Sequence, residues 1–340
     1  MIDAQDAAFL REAVALAEAY VGQTAPNPPV GAVCVRAGQV IGRGAHQRAG
    51  TPHAEVHCLT TCTEDPAGAT LYVTLEPCST TGRTPPCCDL ILTKRIGRVV
   101  IGCIDPNPHH AGRAVALLRA AGVSVEVADG AVAAACRALI APFAKAIVQG
   151  LPLVRLKLAL TLDGFVADAS GTSQWVTGEA ARAEVQRMRL RADAVMVGMG
   201  TVRADHPSLQ PHLPGAPEKY RVLLNRSTVP APADCAGRTL VATRDLGYDG
   251  KQVEPMLRAL CRRGVNEVLC EGGGQVAGAL LEAGVVDELI LFYAPKIVGA
   301  GRPGLAVAPR ALRAAMQWHV VACEQVGGDV MMRLRREVEV

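Results

Sequence analysis

The first part of the chain alternates helical and strand-like patterns of apolar residues. Apolar positions at helical spacing over residues 4–21 predict a first helix, which Asn27-Pro28-Pro29 ends. A long Ala-rich pattern predicts a closing helix over residues 131–147. Between them we expect strands at 30–36, 39–45, 70–75, 98–103 and 123–127, and helices from His53, over 87–94 and over 113–121. Such alternation favours a mostly parallel sheet with helices on its faces.

A second set of elements begins after Gly150-Leu151-Pro152, which is the best candidate for a domain boundary. We expect its strands at 153–160, 193–197, 221–225, 239–243, 267–270 and 287–293, and its helices at 178–191 and between Gly274 and Gly284. Residues 204–219 are rich in Pro and Gly and predict a loop, while Gly327-Gly328 predicts a hairpin turn. The chain therefore reads as two α/β domains in tandem, residues 1–149 and 150–340.

Composition narrows the class of protein. Half of the 340 residues are apolar and a fifth are charged, which is ample material for two buried cores. Aromatic residues make up only 3% and the net charge is +3, so we expect no nucleic-acid partner, although an anionic small molecule is allowed. No run of 18 apolar residues predicts a membrane span, and the N-terminus lacks the pattern of a signal peptide.

Cysteine usage points to a reducing compartment. The 12 cysteines are diluted along the chain, and most lie within apolar strand or helix patterns. A cytoplasmic enzyme with a few metal-binding thiolates fits this distribution better than a disulfide framework does.

One group of residues has the composition of a zinc site. His53-Ala54-Glu55 is followed by Pro77-Cys78 and then by Cys87. Two thiolates and one imidazole can hold Zn²⁺ and leave a fourth position for water, and a Glu two residues after the His is the proton carrier typical of zinc deaminases that act on nucleobase-like rings. Eight residues separate Cys78 from Cys87, whereas two are usual in that pattern.

Each of these residues has an ordinary alternative. A single cysteine is most often a small buried apolar residue, and a single histidine a hydrogen-bonded polar group. A purely structural zinc ion would need a fourth protein ligand, for which Cys62 and Cys88 are the candidates. Cys88 directly follows Cys87, and neighbouring helical residues point about 100° apart, which makes joint ligation awkward.

Two glycine clusters follow strands in the second domain. Gly198-Met199-Gly200-Thr201 and Gly272-Gly273-Gly274 each precede a helical pattern. Backbone N–H groups at such places can hold phosphate, but tight turns explain the same glycines. Neither cluster matches a dinucleotide-binding fingerprint.

The N-terminal motifs resemble the deaminase half of the bifunctional deaminase–reductases of riboflavin biosynthesis. The resemblance rests on Asn27-Pro28-Pro29-Val30-Gly31, Gly44-Ala45-His46, His53-Ala54-Glu55-Val56, Leu75-Glu76-Pro77-Cys78 and Gly82-Arg83-Thr84-Pro85-Pro86-Cys87. It implies a cytidine-deaminase-like three-layer domain with His53, Cys78 and Cys87 on Zn²⁺ and with Glu55 as proton carrier. It also implies that Asn27 and His46 contact the pyrimidine or its sugar, and Arg83 an anionic group. Thr80-Thr81 departs from the family pattern in this loop.

The C-terminal motifs resemble the reductase half of the same family, which has a dihydrofolate-reductase-like fold and uses NADPH. The resemblance rests on residues 157–164, 173–177, 193–195, 200–202, 205–209, 271–273 and 295–297. It implies that the following residues line the dinucleotide: Ala159, Trp175, Thr201, Asp205, Gly273, Gly274, Gln275, Val276, Ala277, Gly278 and Ala279. The residues that it places at the substrate are Ser173, Arg189, Leu209, His212 and Glu271. His212 stands where an Arg is common, and Asn225-Arg226 where Asp-Ser is usual.

We therefore expect a bifunctional enzyme of riboflavin biosynthesis. A zinc-dependent deamination of diaminohydroxyphosphoribosylaminopyrimidine would be followed by NADPH-dependent reduction of its ribosyl group to ribityl. We also expect a homo-oligomer with a phosphoribosyl pyrimidine as its small-molecule partner. The alternatives are a monofunctional pyrimidine or nucleoside deaminase whose second domain is not catalytic, and a non-catalytic zinc scaffold.

Overall fold

The computed structural model describes residues 2–81, 85–225 and 238–336. The chain forms two compact units, Met1–Gly150 and Leu151–Val340. Each unit has its own sheet and its own apolar core, and each is described by itself.

The first unit contains a five-stranded sheet with helices. Its elements are α1 Ala4–Glu18, β1 Gly31–Arg36, β2 Gln39–Ala45, α2 Ala54–Thr60, β3 Thr70–Val73, α3 Cys87–Thr93, β4 Arg98–Ile101, α4 Arg113–Ala120, β5 Ser124–Val127, α5 Gly130–Leu139 and α6 Ala141–Gln149. The strand order is β2-β1-β3-β4-β5. Strands β3, β4 and β5 are parallel, whereas β1 is antiparallel to both β2 and β3.

Two expectations for this unit were wrong. The sheet is half antiparallel, because Ala37 and Gly38 alone connect β1 to β2, and so short a connection joins only antiparallel neighbours. The single helix expected over residues 131–147 is two helices, α5 and α6, which meet at Ile140. Pro142 lies in the first turn of α6, and a proline there starts a helix well but cannot lie inside one.

Helix α1 packs closely on strand β1. A capping box between Asp3 and Asp6 starts the helix. At Gly31 a Cβ atom would overlap with the carbonyl oxygen of Ala13, so only glycine allows this approach. The helix thereby covers one face of the sheet with Leu10, Ala13 and Ala17, all of which are fully buried.

The second unit contains an eight-stranded sheet. Its elements are β6 Leu153–Thr161, β7 Phe165–Asp168, α7 Glu179–Arg191, β8 Ala194–Gly198, α8 Met199–Asp205, β9 Tyr220–Leu224, β10 Thr239–Val241, α9 Ala242–Asp245, α10 Val253–Arg262, β11 Glu267–Cys270, α11 Gly274–Glu282, β12 Glu288–Ala294, β13 Gly301–Pro303, a 3₁₀ helix Leu312–Ala314, β14 Trp318–Val326 and β15 Asp329–Arg336. The strand order is β10-β9-β8-β11-β6-β12-β15-β14.

Six strands of this sheet run parallel, and the last two form an antiparallel hairpin at one edge. The hairpin turns at Gly327-Gly328, as predicted. Strands β7 and β13 pair in a separate small sheet. The amphipathic helix α10, which the sequence reading missed, buries Met256, Leu257 and Leu260. In the parallel part of the sheet, β6, β8 and β11 end at one edge, where ligands bind in open α/β sheets.

Charged side chains are buried where several of the same strands begin. Arg155 on β6 forms ion pairs with Glu267 and Glu288, the second at 2.7 Å. Lys219 is 2% exposed beside Asp193 and Glu267. Burial lowers the pKa of Lys219 to about 8 although both carboxylates oppose the shift.

Within residues 2–81, 85–225 and 238–336, no single helix has the length and apolar composition needed to cross a membrane. Helices α5 and α6 reach that composition only when taken together, and they are bent by 65° where they meet.

Candidate active sites

Three side chains of the first unit meet as a metal-binding cluster. His53 is the N-cap of α2, Cys78 follows β3, and Cys87 is the first residue of α3. Their ligand atoms all lie within 4.8 Å of one another. Among the described residues this is the only group of three or more His, Cys, Asp or Glu residues with such geometry.

The imidazole of His53 presents Nδ1 to both sulfur atoms. Nδ1 lies 3.3 Å from Cys87 Sγ and 3.5 Å from Cys78 Sγ. The backbone N–H of Cys87 donates to Cys78 Sγ at 3.2 Å. The hydrogen bond from the Cys87 thiol lowers the pKa of Cys78 to about 4, although burial opposes the shift, and the same contact raises the pKa of Cys87. The lowered pKa favours the thiolate form of Cys78, which is the form that binds a cation such as Zn²⁺.

The donor set fits a zinc ion with an open position. One imidazole nitrogen and two sulfur atoms supply three of four tetrahedral ligands. The candidate fourth ligands, Cys62 and Cys88, do not belong to the cluster. Cys88 is fully buried among apolar side chains, and burial raises the pKa of its thiol to about 12.

Glu55 lies beside this cluster in the first turn of α2. Its side chain is buried, with 3% of its surface exposed. Burial and the charge of the Cys78 thiolate raise the pKa of Glu55. A buried carboxyl group whose pKa is shifted towards neutrality suits a group that both takes up and returns a proton.

His46 and Asn27 are hydrogen-bonded to each other next to His53. The rings of His46 and His53 meet edge to face, with centroids 5.5 Å apart. Pro52 O accepts from His46 Nδ1 at 3.1 Å, so His46 Nε2 accepts from Asn27 Nδ2, also at 3.1 Å. Burial lowers the pKa of His46 and favours this neutral form. Arg83, expected at an anionic group, lies outside the described residues.

A cleft of about 450 Å³ opens in the second unit between residues 170–174 and 204–206. Ser173 and Asp205 face each other across it, and Ser173 Oγ donates to Asp205 Oδ1 at 3.4 Å. Thr201 is half-buried in α8, the helix that ends at Asp205. The structure thus brings together an expected substrate residue and an expected dinucleotide residue.

Trp175 follows the cleft residue Gln174 and is 62% exposed. The Arg182 guanidinium stacks 4.6 Å from the centre of its ring, and Lys296 Nζ donates to its carbonyl oxygen at 2.8 Å. Trp175 is therefore not a core aromatic residue. A planar ring of a ligand could stack on this exposed indole.

Arg189 and Glu271 form a buried bidentate ion pair. Arg189 Nε and Nη2 donate to the two oxygen atoms of Glu271 at 2.6 and 2.9 Å. Arg189 is therefore not a solvent-exposed charge of helix α7, since its side chain is only 12% exposed. Burial acts to raise the pKa of Glu271, but the Arg189 guanidinium outweighs it and lowers that pKa.

Lys157 on β6 belongs to the same polar group, and sequence reasoning missed it. Burial lowers the pKa of Lys157, with the charges of Glu271 and Arg189 also acting on it. Its Nζ lies 5.8 Å from the centre of the Phe292 ring. A usable signal was present, because Lys157 stands two residues before Ala159 and so shares its face of the strand. Ala159 itself is half-buried.

The segment from Gly273 to Ala279 forms the start of α11. Four residues of the segment are accessible to solvent: Gly273, Gln275, Val276 and Ala279. The other three, Gly274, Ala277 and Gly278, are buried. A Cβ atom at Gly274 or Gly278 would overlap with backbone oxygens of residues 303 and 306. These two glycines therefore serve close packing, and the helix start at Gly273 is the part open to a ligand.

Two further expected substrate residues, Leu209 and His212, lie in the segment whose Gln210 carbonyl oxygen accepts from Arg189 Nη1 at 3.4 Å. The Leu209 side chain is 2% exposed within an apolar cluster on β8, α8 and β9. His212 is exposed, and its Nε2 lies 2.6 Å from Ser208 Oγ. Its backbone N–H donates to Gln186 Oε1 at 2.8 Å.

Comparison with known proteins accounts for both units. Residues 3–103 match the model of the cytidine and deoxycytidylate deaminase zinc-binding region, and residues 152–332 match that of the RibD C-terminal domain. The riboflavin biosynthesis protein RibD of Actinobacillus pleuropneumoniae is 38% identical over 96% of this chain and 94% of its own length. The chain belongs to the RibD family.

Solved RibD structures resemble this chain over nearly all of its length. The chain resembles Acinetobacter baumannii RibD with a TM-score of 0.88 and 34% identity, covering 97% of this chain and 98% of that one. It resembles equally, with a TM-score of 0.88 and 34% identity, the Thermotoga maritima diaminohydroxyphosphoribosylaminopyrimidine deaminase/5-amino-6-(5-phosphoribosylamino)uracil reductase, covering 98% and 99% of the two chains. Escherichia coli RibD is 36% identical over 97% of this chain and 99% of its own length. The expected order, a deaminase domain followed by a reductase domain of the RibD family, is confirmed.

Proposed function

We propose that this RibD-family chain carries out both steps on one pyrimidine framework. The first unit would deaminate diaminohydroxyphosphoribosylaminopyrimidine, and the second would reduce the ribosyl group of the product to ribityl with NADPH. The meeting of His53, Cys78 and Cys87 beside buried Glu55 is the observation that carries the proposal. The names of the relatives and the match to both domain models support it.

In the deaminase site His53, Cys78 and Cys87 would hold Zn²⁺. When bound there, the ion would lower the pKa of a water molecule and so make hydroxide available near neutral pH. The reaction adds water at the amino-bearing ring carbon and releases ammonia, so protons must move from the water to the ring and to the leaving nitrogen. Glu55 would carry them, because its carboxyl group is next to the cluster and its pKa is raised.

Asn27 and His46 would orient the pyrimidine. The bond from Asn27 Nδ2 to His46 Nε2 holds the amide in one orientation. His46, kept neutral by burial, adds no charge beside the metal ligands. Arg83 would hold an anionic group of the substrate, in line with the family resemblance.

In the reductase site bound NADPH would supply the hydride for the reduction of the ribosyl group. Trp175, Thr201, Asp205, Ala159 and the segment 273–279 would bind the dinucleotide. The expected substrate residues Ser173, Arg189, Leu209, His212 and Glu271 would hold the second substrate, and we add Lys157 to them.

Glu271 is unsuited to donate a proton in the reduction. Its carboxylate is engaged at both oxygens by Arg189, and its pKa is lowered. An ionised carboxylate of this kind can orient a cation or a hydroxyl group, but it has no proton to donate. The pair with Arg189 places a fixed positive and a fixed negative charge beside Lys157.

The test follows ammonia release and NADPH oxidation together in the purified, zinc-loaded chain given the diaminopyrimidine phosphate. We expect both signals in sequence. Glu55→Gln should abolish ammonia release while the zinc content stays at that of the wild type, and the exposed control Glu64→Gln should behave as the wild type. Ammonia without NADPH oxidation would support the monofunctional alternative. Metal binding with neither signal would overturn the proposal in favour of a scaffold.

We also propose that the protein is located in the reducing cytoplasm and forms a homo-oligomer. No disulfide bond joins two of the cysteines in residues 2–81, 85–225 and 238–336, which suits the cytoplasm. The homo-oligomer rests on the resemblance, and light scattering of the purified chain would measure it.

A further inference from the structure

Glu76 is a buried carboxylate that the proposed chemistry does not use. It lies two residues before the proposed zinc ligand Cys78, at the end of the segment that follows β3, and is 5% exposed. Its backbone N–H donates to the carbonyl oxygen of Cys103 at 2.9 Å, which anchors it beside the end of β4. A charge in such a place is expected to be fully hydrogen-bonded.

Three backbone N–H groups of one distant segment meet the Glu76 carboxylate. Asp105 N and Gly112 N donate to Oε2 at 3.2 and 2.9 Å. Ala114 N donates to Oε1 at 2.9 Å. Hydrogen bonds to a carboxylate are about twice as strong as those between neutral groups.

The contact serves as a cap for helix α4. Gly112 is the N-cap of α4 and, lacking a side chain, forms no cap of its own. The first N–H groups of a helix have no partner within the helix, and they favour a negative charge. Glu76 supplies that charge from 36 and 38 residues away.

The same carboxylate closes the loop of residues 105–112 at both ends. Asp105 and Gly112 both donate to Oε2, so the loop returns to one oxygen atom. Inside the loop, Asp105 Oδ1 accepts from Asn107 N at 2.8 Å. The loop is thereby tied to the turn that carries Cys78, because Glu76 stands two residues before that cysteine.

We propose that Glu76 is a positioning residue of the deaminase site. Its carboxylate holds loop 105–112 and the start of α4 in a set position against the turn that carries Cys78. The loop then forms one wall of the space in which the pyrimidine lies. The inference rests on the proposed deaminase function, but the contact itself can be tested without substrate.

The experiment compares Glu76→Gln and Glu76→Ala in the full-length, zinc-loaded chain. Glutamine keeps the size of the side chain but turns an NH₂ group towards donors, and alanine removes all three acceptor contacts. We expect faster amide hydrogen exchange at Asp105, Gly112 and Ala114, and a fall in kcat/KM for ammonia release of about 10- to 100-fold, mostly through KM. Alanine should have the larger effect, and zinc content should stay near one per chain.

The matched control is Asp6→Asn. Asp6 is also a buried carboxylate of the first unit, 4% exposed, but it accepts from Arg98 and Tyr72, away from the cluster. The control should lose stability without a change in KM or in exchange at Gly112 and Ala114.

Two results would overturn the proposal. One is that Glu76→Gln changes neither the amide hydrogen exchange of the loop nor the KM for ammonia release. This result would overturn the proposal even if the alanine variant does not fold. The other is a loss of activity that merely follows the unfolded fraction, as in the control. If the wild type released no ammonia, the proposed function would fail, whereas the exchange measurement would still judge the contact.

Discussion

The ion pair between Arg189 and Glu271 allows a quantitative test of the second unit. The two side chains are 12% and 10% exposed and share two hydrogen bonds. Arg189→Met keeps most of the volume but leaves the Glu271 carboxylate buried without its partner. Removing one member of a buried pair lowers the free energy of unfolding by about 3–5 kcal/mol. That loss is a large part of the roughly 5–15 kcal/mol by which a domain is stable.

Calorimetry of the full chain would measure the effect. The second unit spans about 190 residues, for which 1 kcal/mol shifts Tm by about 2–4 °C, so we expect its transition to fall by about 6–20 °C. The double variant Arg189→Met with Glu271→Gln should lose less than the two single variants added together. The control is Arg258→Met, which breaks an exposed pair with Glu254 and should lose at most about 1 kcal/mol.

The pair should also make stability depend on pH on the acid side. Burial acts to raise the pKa of Glu271, but Arg189 lowers it below the ordinary value of 4.5. A carboxyl group with a lowered pKa contributes stability that is complete above the unfolded pKa and is lost as pH falls through the folded one. This contribution should be missing from Arg189→Met. Additive single losses, or a loss no larger than that of Arg258→Met, would refute the reasoning.

Three further predictions follow from packing and exposure. Lys219→Met should lower the free energy of unfolding by about 3–5 kcal/mol in urea titration, because Asp193 loses a buried partner charge; a loss under about 1 kcal/mol would count against that account. Gly31→Ala should destabilise the first unit by about 1–3 kcal/mol, since its Cβ meets Ala13 O, and unchanged thermal unfolding would contradict this. Trp175→Ala should raise the KM for NADPH with little change in Tm, given that its ring is 62% exposed; an unaltered KM removes it from the cofactor site.

Local pattern in the sequence was enough for most of the elements and for the chemistry of the first site. The apolar periodicity predicted nearly every strand of both sheets, because alternation and run length depend only on neighbouring residues. The types and order of His53, Glu55, Cys78 and Cys87 indicated a zinc deaminase before any distance was known. Pro142 also indicated a break between α5 and α6, but the Ala-rich pattern on both sides of it favoured one continuous helix.

Tertiary structure alone decided which distant residues touch. Arg189 and Glu271 are 82 positions apart, and Glu76 caps a helix 36 to 38 positions away. No local pattern contains these pairs, because they depend on strand order and register. The antiparallel pairing of β1 with both β2 and β3 likewise became known only from the tertiary structure. The sequence by itself determined the secondary-structure elements and the donor types of the candidate zinc site. Long-range packing determined which charged side chains lie beside one another, because those contacts depend on strand order and register.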